Sequence, residues 1–251
     1  MTAPGRPLSG RTIVVTRPPD QSGQLVADLR RAGARVIAAP TISIVAARSA
    51  ALTRALKDLA AGEYSWITLT SRATVTMLAE RLDSPTQVRA DVAVIGDGTA
   101  AAFRRWARRA PTLQPSTFTT TALARAFPRG RGRVLCARAD IAPEGLEDAL
   151  AAKGWTPERV DAYRTRFARS LPPDARAALR AGEVDAVTFT SASTVRGFVS
   201  ALGAVRGTPK VVCIGPVTAK QARAVGFTVA AVAKPHTMEG LVAALVRALR
   251  A

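Results

Sequence analysis

The chain repeats part of its own text. WITLTSRATV at residues 66–75 returns as AVTFTSASTV at 186–195, placing Thr70-Ser71 and Thr190-Ser191 120 residues apart. VIGDGTA at 94–100 precedes CIGPVTA at 213–219 by 119, and Thr119 and Leu123 precede Thr237 and Leu241 by 118. A weaker pair, VVTRP at 14–18 against LCARA at 135–139, with Gly33 matching Gly154, keeps an offset of 121. A period near 120 is too long for a solenoid repeat and fits a duplicated unit of domain size. The chain therefore reads as two related halves, in four blocks ordered a, b, a′, b′.

Each block is written as strand, polar turn, helix. Residues 184–190 gather β-formers, Ser191 and Ser193 interrupt them with small hydroxyls, and 195–202 resume apolar positions at helical spacing. KVVCI at 210–214 repeats the design, with Gly215-Pro216 forcing the turn and Thr218 read as opening the next helix. Such turns lie at the carboxyl ends of parallel strands, where helix N-terminal amides and hydroxyls suit an anionic ligand. Strand and helix alternate throughout, which predicts an α/β protein with about five strands in each half. PTLQ at 111–114 is expected as a short strand, and 158–162 as a strand running into the connection Tyr163-Arg164-Thr165, the counterpart of the Pro40 connection. Block b can pack with the a block before it or the a′ block after it. If the Pro-bounded segments at 40–47 and 160–167 pair as antiparallel linkers, one sheet combines a with b′ and the other b with a′.

Charge narrows the partners. Thirty-six Lys+Arg against 18 Asp+Glu give +18, with five of the basic residues Lys, a field that attracts polyanions. Aromatics are 5% of the chain and neither a helix-turn-helix nor an RNP-like pattern occurs, so nucleic acid is not the expected partner. The runs Arg104-Arg105-Arg108-Arg109 and Arg129-Arg131-Arg133 read as solvated faces or loops. MTAPGRPLSGR lacks the apolar region of an export signal, and no run nears the ~20 apolar residues of a membrane span, so a cytoplasmic protein with no membrane partner is expected. Cys136 and Cys213 sit inside apolar strands and read as core thiols. His236 is the one histidine, which argues against a His-based triad or a zinc centre and leaves it a loop or helix-start role.

In this order the motifs resemble the uroporphyrinogen-III synthase family: TLTSRATV at 68–75, VIGDGTA at 94–100, VDAYRT at 160–165, FTSASTVRGF at 189–198 and CIGPVTAKQARAVGF at 213–227. The likeness covers nearly the whole chain, from Leu8 to Leu249. It implies two flavodoxin-like doubly wound parallel-sheet domains joined by a two-stranded β linker, with the cleft between them. The first domain is then discontinuous, 1–40 with 166–251, and the second, 41–165, is inserted. The family converts linear hydroxymethylbilane to uroporphyrinogen III with loss of water and inversion of ring D, using neither metal nor organic cofactor. A monomer is expected. The same fold also serves as the ligand-sensing half of transcription regulators, so a non-catalytic module that senses a tetrapyrrole or other polyanion is the second reading.

The resemblance and the repeat together nominate residues. Tyr163 brings the one aromatic hydroxyl within a family-like motif and is the expected helper acid for the departing hydroxyl; its other role would be packing across the linker. Thr70, Ser71, Thr190, Ser191 and Ser193 are expected carboxylate donors. Thr99 and Thr218 are repeat-related and expected either to bind substrate or to serve as N-caps. Lys210 is placed to meet a propionate or solvent, and Arg17 and Arg138, which end repeat-related strands, to face the substrate.

Overall fold

The computed structural model describes residues 5–202 and 209–250. In chain order it begins β1 (Thr12–Val15), α1 (Pro19–Arg31), β2 (Arg35–Ala38), β3 (Ile42–Ala46), α2 (Ala50–Ala61), β4 (Trp66–Leu69) and α3 (Arg72–Arg81). A 3-10 turn at Pro85–Gln87 leads to β5 (Asp91–Val94), α4 (Asp97–Ala107), α5 (Thr120–Ala126), β6 (Arg133–Ala139), α6 (Leu146–Ala151) and β7 (Thr156–Phe167). The rest is α7 (Pro173–Ala181), β8 (Ala186–Phe189), α8 (Ala192–Leu202), β9 (Lys210–Cys213), α9 (Pro216–Ala224), β10 (Val229–Val232) and α10 (Met238–Arg250). Two compact units result, Met1–Ser43 with Arg166–Ala251, and Ile44–Thr165.

The first unit holds a parallel sheet in the order β10-β9-β8-β1-β2. That is the doubly wound flavodoxin-like order, and it joins block a to block b′. The second sheet runs β3-β7-β6-β4-β5 and joins b to a′, its β4, β5, β6 and β7 pairing in parallel. β3 flanks β7 in the opposite direction: Ala168 N–H donates to the Thr41 carbonyl and Ala47 N–H to the Ala162 carbonyl. The fold class and the pairing of blocks are those expected.

Burial explains the strand text. TIVV of β1, WITL of β4 and AVTF of β8 are buried at every position, as strands covered on both faces must be. Apolar clusters line both faces of each sheet, one of them gathering Val75 and Leu78 of α3 with Leu135, Val160 and Tyr163. Proline opens α1, α7 and α9, where its missing N–H would be unpaired anyway.

Two local expectations change. Residues 111–114 form no strand; Leu113 makes a single parallel bridge to Ala93, on the free edge of β5 where a fifth parallel strand would lie. The strand expected at 158–162 and the linker expected to pair at 160–167 are one continuous strand, β7, with β3 as the partner of its second edge.

Candidate active site

In a doubly wound sheet the ligand crevice opens at the carboxyl ends of the strands where the order reverses. That point lies between β8 and β1 in the first unit and between β4 and β6 in the second. Thr190, Ser191 and Ser193 follow β8, Arg17 follows β1, Thr70 and Ser71 follow β4, and Arg138 is the next-to-last residue of β6.

In the second unit Tyr163, 8% exposed, donates its phenolic proton to Ser71 Oγ at 2.9 Å. Ser71 Oγ also accepts Thr74 N–H at 3.2 Å as the N-cap of α3, and lies 3.2 Å from Thr74 Oγ1. Burial pushes the Tyr163 phenol above its ordinary pKa of 10.0; the Ser71 bond and the more distant Arg138 charge oppose that, and Asp140 adds to it. The phenol therefore keeps its proton through neutral pH.

The first unit repeats half of this arrangement. Ser191 Oγ accepts Thr194 N–H at 3.1 Å and lies 2.9 Å from Ser193 Oγ. Thr70, Ser71, Thr190, Ser191 and Ser193 are all half-buried. No tyrosine stands behind Ser191: Thr41 instead donates to the Thr194 carbonyl at 2.9 Å. The repeat accounts for the shared caps, and the VDAYRT motif for the difference.

Thr99 and Thr218 are not N-caps. Each is the third residue of its helix, buried at 7% and 4% exposure, while the capping positions are Gly96 and Gly215, which offer no side-chain acceptor. The turn residues Asp97 and Pro216 already belong to the helices, which therefore start two residues early. The first-turn amides of α4 and α9 thus go without a capping side chain, an arrangement that suits anions.

Three cations stand at the strand ends expected of them but spend their hydrogen bonds within their own unit. Arg138 is 1% exposed, and its Nη1 donates to both Glu147 oxygens at 2.9 Å, so its charge is already spent inside the unit. Arg17, 7% exposed, reaches forward onto α1, Nε to the Gln21 carbonyl at 2.8 Å and Nη2 to Gln21 Oε1 at 3.1 Å. Lys210 pairs with Ala186, the first residue of β8, at the amino end of the sheet and away from the hydroxyls; its Nζ donates to the Ala248 carbonyl at 2.6 Å. A strand start cannot reach the ligand end of a parallel sheet.

Other residues escaped the sequence reading. Thr74 and Thr194 close the two serine caps, and their offset of 120 was there to find. Arg133 is no solvated loop residue: its Nη2 meets Asp58 at 2.8 Å, Glu158 at 2.7 Å and the Tyr64 oxygen at 3.1 Å, with the guanidinium 4.3 Å from the Tyr64 ring centre. Burial and Glu158 raise the Tyr64 pKa, and the network fastens the amino end of β6. Cys136 and Cys213 are buried thiols that desolvation pushes up to about 12. His236 Nδ1 lies 2.7 Å from the Ala233 carbonyl in the loop before α10. Among the described residues no helix is long and apolar enough to cross a membrane.

Known proteins share this sequence and fold. The model of the family described as uroporphyrinogen-III synthase HemD matches residues 23–243. A uroporphyrinogen-III synthase of Synechococcus elongatus is 30% identical over 96% of this chain and 96% of its own length. The porphyrin biosynthesis protein HemD of Ruminiclostridium josui is 30% identical over 87% of this chain, which spans 45% of that longer protein. The crystal structure of a mutant uroporphyrinogen III synthase from the extremely thermophilic bacterium Thermus thermophilus superposes with a TM-score of 0.70 over 96% of this chain and 99% of that one, at 22% identity, a likeness that speaks for the fold. On the family match and the full-length relative, this chain belongs to the uroporphyrinogen-III synthase family.

Proposed function

We propose that this chain is a hydro-lyase that closes hydroxymethylbilane to uroporphyrinogen III with inversion of ring D, in porphyrin biosynthesis. The observation that carries the chemistry is the Tyr163–Ser71 hydrogen bond beside the strand-order reversal of the second unit. Loss of water needs a proton on the departing hydroxyl while the pyrrole nitrogen pushes electrons toward the methylene carbon. Ser71 Oγ already accepts from Tyr163 and from Thr74 N–H, and its own proton, facing Thr74 Oγ1 at 3.2 Å while that hydroxyl donates to the Ala137 carbonyl, is the one it has to give. In this reading Ser71 donates to the leaving oxygen as Tyr163 reprotonates Ser71. The pyrrole carbon proton released after ring closure restores the phenol, so acid and base balance over the cycle.

The harder task is shape. The bilane carries eight carboxylates on a flexible chain, and unassisted it closes head to tail into the symmetric isomer. Attack at the substituted carbon of ring D, through a spiro intermediate, requires one conformer to be held. Thr70, Thr190, Ser191 and Ser193, with the uncapped first turns that carry Thr99 and Thr218, supply neutral donors suited to carboxylates. Arg17, Arg138 and Lys210 have no part in this binding set.

The test is to supply fresh hydroxymethylbilane, oxidise the product and resolve isomers I and III. Isomer III forming in proportion to protein supports the reading. Isomer I alone, at the spontaneous rate, rejects it.

A further inference from the structure

A regular strand cannot put both Val160 and Tyr163 on one face of a sheet, because side chains alternate and the two are three positions apart. Yet Val160, Ala162 and Tyr163 share the apolar cluster that contains Val75 and Leu78 of α3, while Cys136 and Leu146 lie in the cluster on the opposite face. The register of β6 on β7 shows how. Ala137 pairs with Val160 and Arg138 with Asp161, then Ala139 pairs with Tyr163, so one extra residue of β7 is taken up in a bulge. A one-residue slip exchanges the two faces, and bulges re-aim side chains in this way. Without it the Tyr163 phenol would point toward the face of α6, away from Ser71.

Asp140 fastens β7 just past the bulge, through its main chain and its side chain. Its N–H donates to the Tyr163 carbonyl at 3.1 Å, and its Oδ1 accepts Thr165 N–H and Ile141 N–H, each at 2.9 Å. β6 ends at Ala139 while β7 runs on to Phe167, so the Thr165 amide has outrun its neighbouring strand. Thr165 is 8% exposed, and a buried amide needs an acceptor. The Asp140 carboxylate replaces the missing main-chain oxygen two residues beyond Tyr163.

We propose that Asp140 is a positioning residue for Tyr163: by pinning the bulge at Ala162 it turns the phenol onto Ser71. Its catalytic consequence rests on the reading of Tyr163 as helper acid, whereas its geometric content stands apart from it.

The chain has two tyrosines, so protein labelled with 13C at the tyrosine Cζ gives one signal for Tyr163 and one for Tyr64, the latter an internal reporter of folding. In Asp140→Ala the Tyr163 signal is expected to shift or broaden while that of Tyr64 stays in place. Turnover should fall on the order of 100-fold, the loss expected for Tyr163→Phe, with KM little changed. Asp140→Ala added to Tyr163→Phe should cost nothing further. Asp140→Asn, which keeps the Oδ1 acceptor, should stay within about threefold of the parent in rate and leave the Tyr163 signal in place. If Asp140→Ala does not fold, Asp140→Ser carries the same comparison, with a partial loss that again requires the phenol. An unmoved Tyr163 signal in the folded Ala or Ser variant overturns the proposal, as does an equal loss of rate with and without the phenol, or an Asn variant as impaired as the Ala variant. Should Tyr163→Phe turn over at the parent rate, the helper-acid reading fails and the tyrosine signals still decide whether Asp140 sets the phenol.

Discussion

Tyr163 donates to Ser71 Oγ at 2.9 Å, and the same oxygen accepts Thr74 N–H at 3.2 Å, so one serine serves both as helix cap and as partner of the buried phenol. Its repeat-related counterpart Ser191 caps with the same geometry, Thr194 N–H at 3.1 Å, and has no phenol. The pair separates the two duties. Ser71→Ala and Ser191→Ala should each lose about 1 kcal/mol of stability, roughly 2–4 °C in melting temperature. Only Ser71→Ala should lose most of its turnover; Ser191→Ala should act mainly on KM. Calorimetry and initial rates on the two variants check this, and equal losses of turnover would contradict it.

Titration of the buried acids gives a second expectation. Desolvation raises Cys136 and Cys213 from 9.0 to about 12, and raises the Tyr163 phenol above 10.0. Each group keeps its proton longer in the folded state than in the unfolded one. Their contribution to stability is therefore fully present below pH 9 and is lost as the pH climbs through 9 to 12. Urea unfolding should give stability that changes little from this source between pH 7 and 8.5 and falls at pH 10. At pH 8 a thiol reagent should label neither cysteine in the native protein and both after denaturation.

Helix α8 tests packing at a single atom. A Cβ added to Gly197 would collide with the Thr41 carbonyl oxygen, a main-chain atom that Ala168 N–H also holds in place. Gly23 lies exposed on α1 with nothing within 4 Å of where its Cβ would be. Gly197→Ala is expected to destabilise by about 2–4 kcal/mol, at or above the usual cost of overpacking because backbone must move. Gly23→Ala should stabilise by about 0.5–1 kcal/mol, as a helix interior freed of glycine. Denaturant midpoints distinguish the two signs.

These contrasts show where the sequence was legible. The 120-residue repeat carried the strand-turn-helix units and the hydroxyl turns that hold Ser71 and Ser191, because hydroxyl turns and apolar strands are local in sequence, whereas the cap role assigned to Thr99 and Thr218 belongs to Ser71 and Ser191 in their own turns. The pairing of blocks followed from the two Pro-bounded segments and the family likeness. What escaped depends on partners distant in the chain or on register. Arg138 is spent on Glu147 through folding of α6 against β6, and Arg133 joins Asp58 and Glu158 across 75 and 25 residues. The bulge that aims Tyr163 leaves no mark in VDAYRT, since an extra residue is visible only against the partner strand. Lys210 was nominated by residue type; its place at the start of β9 was already written in the chain and pointed to the wrong end of the sheet.

Labour is divided between a buried acid that eases departure of the hydroxyl and a set of neutral donors that decides which isomer forms. The most direct measurement is a single-turnover reaction of Tyr163→Phe in excess over hydroxymethylbilane, with rate and isomer ratio read together. The expected rate is lower on the order of 100-fold and the product, corrected for spontaneous closure, is still isomer III. An unchanged rate, or enzyme-dependent formation of isomer I, would contradict it.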